Sequence, residues 1–174
     1  MIKKFQSIIF RSALLITSLA VVVLPIVASA KNSIKKVTGS ATGVSASVTA
    51  SASAQFTMNI TDGISASVLQ SDLQKNAFTF SNADGLAYSV EVRFANFVDN
   101  AVWFTGPILV SSDPALINRW MVAKVQDNGQ SKDSQDTVSM RIVTAPSAAF
   151  NMVYNQNRYL YDKYEITSGN LTVH

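Results

Sequence analysis

The sequence predicts an all-β protein, an antiparallel β-sandwich of about nine short strands, Ig-like or jelly-roll-like, with at most one short helix near residues 113–119. Three observations predict it. In "VSASVTASASAQFTMNI" (44–60), every even position is apolar and every odd position polar, the period-2 pattern of a strand with one buried face. "LAYSVEVRF" (86–94) repeats it, with Leu86, Tyr88, Val90, Val92 and Phe94 on one side and Ala87, Ser89, Glu91 and Arg93 on the other. Turn residues recur about every ten positions, and almost no stretch has helical periodicity.

The first thirty residues stand apart from the fold. "MIKKFQSIIFR" carries Lys3, Lys4 and Arg11 and no acid, an apolar run follows, and Ala28-Ser29-Ala30 has the small-x-small form of a cleavage site. This is the pattern of a secretory signal peptide, with Ala28 and Ala30 as the cleavage residues. The run from Ala13 to Val27 is short of the roughly 20 residues that span a bilayer. The expectation is an exported protein, secreted or at the cell surface, that meets a membrane only through its leader.

Removing thirty residues from 174 leaves 144, enough for one domain with a sizeable core. Three of the 14 basic residues leave with the leader, so 11 remain against 11 acids and the net charge falls to about zero. A chain so balanced lacks the basic face that neutralises phosphates, and nucleic acid is excluded as a partner. There is no cysteine, so the fold has no disulfide and the chemistry no thiolate.

Residues 31–43, "KNSIKKVTGSATG", are polar, basic and broken by glycine, and read as a flexible arm before a sandwich domain at 44–174. "ISASVLQ" (64–70) and "AFTFSN" (77–82) alternate as strands, the second with Phe78 and Phe80 on one side. Ala83-Asp84-Gly85 is a turn. "VWFTGPILV" (102–110) is nearly all apolar, with Gly106-Pro107 marking a bulge or edge break. Asp113-Pro114 is the one helix start, a capping side chain followed by a proline at the first helical position. "WMVAKVQ" and "TVSMRIVT" flank "DNGQSKDSQD" as a long-looped hairpin, with Val138, Met140 and Ile142 facing the core. "AAFNMVYN" and "YEITSGNLTVH" close the chain, with Ser168-Gly169-Asn170 as a turn or bulge. Trp103 and Trp120 lie within apolar strands and read as core.

Seventeen alternating residues would span about 56 Å as one strand, where five or six residues are usual. Two readings fit. The segment is internal, as two consecutive strands or one bent strand. Or its small-residue half, Val44, Ala46, Val48, Ala50, Ala52 and Ala54, is donated to a neighbouring copy. Alanines bury little area, so this half needs a template on both edges in either case.

Catalytic chemistry is hard to assemble. The only histidine is the terminal His174, so Ser-His and Cys-His nucleophiles are excluded, as are most transition-metal sites. No phosphate-loop motif is present, no cofactor is implied and no enzyme activity is expected. Calcium is the one metal to weigh, through Asp127, Asp133 and Asp136, although their spacing matches no calcium loop and the expectation is a solvated hairpin tip. Tyr154, Tyr159, Tyr161 and Tyr164, beside Asn155, Gln156 and Asn157, are the candidate ligand surface, suited to stacking on sugar rings. Asn59-Ile60-Thr61 and Asn170-Leu171-Thr172 are glycosylation sequons.

The organisation is similar to that of exported β-sandwich surface and fibre subunits, a likeness of architecture alone. The expected function is therefore a non-enzymatic structural protein: a cell-surface, pilus-like or extracellular-matrix subunit that assembles with copies of itself or with other surface proteins, by N-terminal strand exchange in the donated reading. The alternative is a monomeric secreted binding module or adhesin for a glycan or a protein.

Overall fold

The computed structural model describes residues 35–46, 52–62, 76–129, 135–157 and 162–174. Nine strands run in chain order: β1 (Lys36–Ser45), β2 (Ser53–Thr61), β3 (Ala77–Asn82), β4 (Ala87–Glu91), β5 (Phe94–Val98), β6 (Ala101–Ser111), β7 (Trp120–Gln126), β8 (Thr137–Val143) and β9 (Asp162–Val173). Every strand pairs antiparallel with its chain neighbour, save that β4 and β5 pair in turn with β6. The last strand also pairs with the first, from Val37↔Val173 to Ser45↔Tyr164.

That last pairing corrects the expected sandwich. A sandwich keeps two sheets with open edges, whereas here one sheet curls until its edges meet. The outcome is an up-and-down β-barrel of eight staves, with β4 and β5 as two halves of one stave broken at Val92-Arg93. Alternation alone cannot separate the two architectures, because both bury one face of each strand.

The same pairing corrects the expected arm. Residues from Lys36 to Gly43 form most of β1, hydrogen-bonded to β2 on one edge and β9 on the other. The glycines that suggested flexibility sit where the backbones crowd: a side chain at Gly43 would press on the Glu165 carbonyl and the Phe56 ring. The long alternation is two strands, joined where Ser45 N–H donates to the Ala52 carbonyl. Odd positions Val37, Ala41 and Gly43 are buried in β1, and even positions Ala54 to Ile60 in β2.

An eight-stranded barrel leaves an interior that side chains can fill, and here they fill it. Phe56 lies 5.3 Å from Tyr164 and 5.7 Å from Phe80 between ring centres, Phe80 stacks on Tyr88 at 4.9 Å, and Phe78 meets Phe104 at 5.4 Å. Met58, Met121 and Met140 pack among them. Each fully buried large side chain contributes about 1.5–3 kcal/mol of transfer free energy. The outward residues of β2 are Ser53, Gln55, Thr57 and Asn59, all exposed. Apolar inside and polar outside is the reverse of a lipid-facing barrel wall.

Where β4 gives way to β5, the inward parity switches from even (Tyr88, Val90, Val92) to odd (Ala95, Phe97). Phe94, expected on the inward face, therefore turns outward, as does Asn96. There they meet a helix the sequence reading did not predict, α1 (Pro146–Tyr154). This helix corrects the expectation of no helix beyond 113–119. Phe150, Met152 and Tyr154 imitate a strand, but Ala149, Met152 and Val153 share a helical face and Pro146 starts the first turn. The short helix at the expected place is a single 3-10 turn (Pro114–Leu116), with Asp113 accepting from Ala115 N–H at 2.9 Å.

The helix covers an apolar outer wall. Trp103 and Val122 are buried beneath Ala149, Met152 and Val153, with Trp120 and Phe94 against Phe150 at 5.3 and 5.7 Å. Both tryptophans thus belong to a second, external core. This also explains why "VWFTGPILV" has no polar face: β6 is buried on both sides for most of its length.

Gly106 faces the β4–β5 break. A methyl group there would overlap the Glu91 carbonyl and come within 3.1 Å of Val92 Cα. Gly106→Ala is expected to destabilise the barrel by at least about 2 kcal/mol in urea denaturation of residues 31–174. Gly85→Ala, in open space at φ 86°, should cost only about 1 kcal/mol, from the backbone conformation alone.

Candidate functional site

The sequence-predicted residues are scattered by the fold. Tyr164 is buried in the barrel between Phe56 and Phe80, while Tyr154 stands 73% exposed at the end of α1. Tyr159 and Tyr161 lie outside the described residues. The expected tyrosine platform is therefore not one surface: the inward alternation of β9 takes Tyr164 into the core. Burial, above all, raises the Tyr88 phenol well beyond its ordinary range, with Tyr164 and Asp162 adding to it. Burial does the same to Tyr164, helped by Asp162 and Asp84. Both rings are core residues and neutral ones.

Of the candidate assembly residues, the four that are described lie at the end of β1 and the start of β2. Val44 pairs with Ser53 and with Glu165, and Ala54 pairs with Gly43 and with Asn82. Ala46 is exposed and its N–H donates to the Lys163 carbonyl at 2.8 Å; Ala52 is half-buried. Val48 and Ala50 lie outside the described residues, as do Ala28 and Ala30. These pairings fit the internal reading of the segment.

Of the calcium candidates, Asp133 lies outside the described residues and the other two carboxylates already hold backbone. Asp127 accepts from Gly129 N–H at 2.9 Å and, through its second oxygen, from Val173 N–H at 3.2 Å. Asp136 accepts from Asn128 N–H at 2.8 Å. They tie the β7–β8 loop to itself and to the end of β9. Among the described residues no three acids or histidines converge as a metal site.

Two surface features remain, neither singled out by sequence reasoning. The first is a groove of about 380 Å³ on the outer wall, bounded by the β5–β6 turn, by β6 to β8 and by Gln156, two residues past α1. Trp103 forms its floor, with the Lys124 ammonium 5.2 Å above the ring centre and donating to Gln126 Oε1 at 2.6 Å. Gln126 Nε2 donates in turn to Asn128 Oδ1 at 2.9 Å, and Asn128 Nδ2 to the Gln135 carbonyl at 2.7 Å.

The second is a neutral wall. Strand register aligns Asn170, Ser40, Thr57, Thr79, Ser89 and Val110 in one row across the sheet. A neighbouring row holds Ser168, Thr42, Gln55, Ser81 and Ala87. Neither row contains a charge. Six residues at about 4.8 Å per strand make it roughly 24 Å wide. At its β6 edge the register slips, so that Ser89 faces Val110 and Val90 faces Ile108. The extra residue, Leu109, is 49% exposed and Val110 is 64% exposed. Asn118 N–H donates to the Ile108 carbonyl, keeping Ile117, 40% exposed, beside them.

The class this defines is a closed antiparallel barrel with a filled interior, and among the described residues the groove and the neutral rows lie on its outer surface. No family model, curated protein or solved structure matches the chain.

Burial holds the Asp136 carboxyl above the usual carboxylate range, opposed by the Asn128 hydrogen bond and reinforced by Asp127. The folded state therefore keeps this proton to higher pH than the unfolded state does. Its contribution to stability is present in acid and is lost as pH rises through the folded value. Asp136→Asn keeps an acceptor for Asn128 and removes the charge. It should match wild type near pH 3 and melt roughly 1–2 °C higher at pH 7, a small effect because the group is largely solvated. Added Ca²⁺ should leave the melting temperature of residues 31–174 unchanged; a rise abolished by Asp133→Ala would reverse that expectation.

Proposed function

We propose that this chain is an exported, non-enzymatic structural protein that assembles with copies of itself at the cell surface or in an extracellular matrix, through wall-to-wall contact. The observation that carries the reading is the pair of uncharged rows across β9, β1, β2, β3 and β4, with Leu109, Val110 and Ile117 exposed at their edge. A second copy set against these two rows meets hydroxyls, amides and aliphatic carbons, with the charges Glu91 and Glu165 only in the rows that flank them. The near-zero net charge of the mature chain weakens the general repulsion between copies. The basic, apolar and small-residue pattern of the first thirty residues supports export.

Strand exchange is the less supported route. β1 is paired on both edges within the chain, and donating it would open the barrel along two seams. Lateral contact leaves the closed barrel intact.

Sedimentation of the mature chain between about 10 μM and 1 mM tests the reading. Weak association is expected, rising with concentration, and Val110→Lys should reduce it at least about tenfold without lowering the melting temperature, since the side chain is mostly in solvent. A wild-type chain that remains monomeric throughout overturns the proposal.

A further inference from the structure

The geometry of the groove over Trp103 points to a binding site for a short neutral saccharide. Its lining is dominated by groups that both donate and accept hydrogen bonds. Asn100, Gln126 and Gln156 bring amides and Ser139 a hydroxyl, with one cation, Lys124, and one carboxylate, Asp99. A sugar hydroxyl is itself donor and acceptor and finds complementary partners among such groups. An apolar ligand would strand these polar groups, and an anion would meet the Asp99 carboxylate beside the one ammonium.

The polar groups are held before any ligand arrives. Lys124 is fixed by Gln126 and by the Trp103 ring, and Gln126 by Asn128, all on or next to barrel strands. Asn100 Nδ2 is anchored on the Asp127 carbonyl. Preorganisation of this kind lowers the ordering cost of binding.

The rim carries a further sign. Gln156, at φ 50°, borders this groove and has positive φ without being a glycine, whereas the positive φ of Asp99 belongs to the tight β5–β6 turn. Gln156 ends α1 in a motif where Asn157 N–H returns to the Met152 carbonyl at 2.8 Å and Gln156 N–H to the Val153 carbonyl at 3.2 Å. Glycine is the residue that suits this position best. Here a long amide occupies it, at the mouth of the groove. This is the arrangement expected where the side chain is retained for contact rather than for stability.

Saturation-transfer NMR on the mature chain, with glucose, galactose, mannose, N-acetylglucosamine and cellobiose as separate probes, tests the inference. At least one should bind with a Kd of about 0.1–10 mM, the range of a shallow site. Ser139→Trp, which fills the groove, should abolish the signal. Gln156→Gly should weaken binding by about tenfold while the melting temperature stays level or rises, an opposition that a purely structural glutamine would not give. Val110→Lys, on the neutral wall, should leave saccharide binding unchanged, so a failure of assembly and a failure of this site are told apart. The inference is overturned if no saccharide gives a signal at 20 mM (a ceiling about twice the weakest expected Kd), if binding survives both groove substitutions, or if inorganic phosphate binds in place of every sugar.

Discussion

Strand β9 runs beside β1 from Tyr164 to Val173 and beside β8 from Asp162 to Glu165, and the closed barrel depends on that double pairing. Without it, β1 and β8 would each present an unpaired edge, and the aromatic interior would open along a seam. The pairing is fitted by a bulge. Register shifts between Thr42 and Gly43, and Gly169, at φ 89°, lets the two backbones touch where a side chain would collide with the Ser40 carbonyl. The Asp127 carboxylate then holds the Val173 N–H, so the end of the last strand is also tied to the β7–β8 loop. Tyr164, carried inward by this strand, completes the ring cluster with Phe56 and Phe80.

A second constraint acts on the opposite side. The barrel must bend between β4 and β5, and two residues of irregular backbone against Gly106 allow it. The break reverses which residues face inward, and it is why Phe94 and Asn96 reach α1. Asn96 Nδ2 donates to the Val153 carbonyl at 3.4 Å, and Phe94 packs on Phe150. The helix is therefore seated by a defect in the sheet. In seating there it shelters Trp103 and Trp120 and leaves the groove beside its last turn.

A filled interior has consequences for function. Small eight-stranded barrels either pack their centre or hold one small ligand in it, and the aromatic and methionine side chains here take that space. The surfaces that remain are the neutral wall with its aliphatic edge and the polar groove. They lie on different staves for most of their extent, so occupation of one leaves the other open.

The sequence by itself determined most of the strands and the faces they bury, though not the part of β1 read as an arm or the outward turn of Phe94. Period-2 alternation is a local property, and it placed Phe56, Met58, Phe78, Phe80, Tyr88, Val90, Val138 and Met140 in the core, where the structure has them. Punctuation was legible too: Asp113-Pro114 at a 3-10 turn and Gly169 at a positive φ, two residues from the β1–β9 bulge, each follow from the backbone angles those residues permit. What the tertiary structure decided is everything that depends on which distant segments meet. Closure rests on pairing residues about 130 positions apart, and a strand reads the same whether its sheet ends in an edge or returns to itself. The helix Pro146–Tyr154 was hidden because nine residues hold too few turns to separate its period from a strand's, and only the apolar outer wall of β6 and β7 gives it a reason to form. The neutral wall was legible strand by strand, as Thr57 or Ser81, but it becomes a surface only when register sets one strand beside the next. Tyr154 and Tyr164 part for the same reason, since the helix leaves the first exposed and the inward alternation of β9 takes the second into the core.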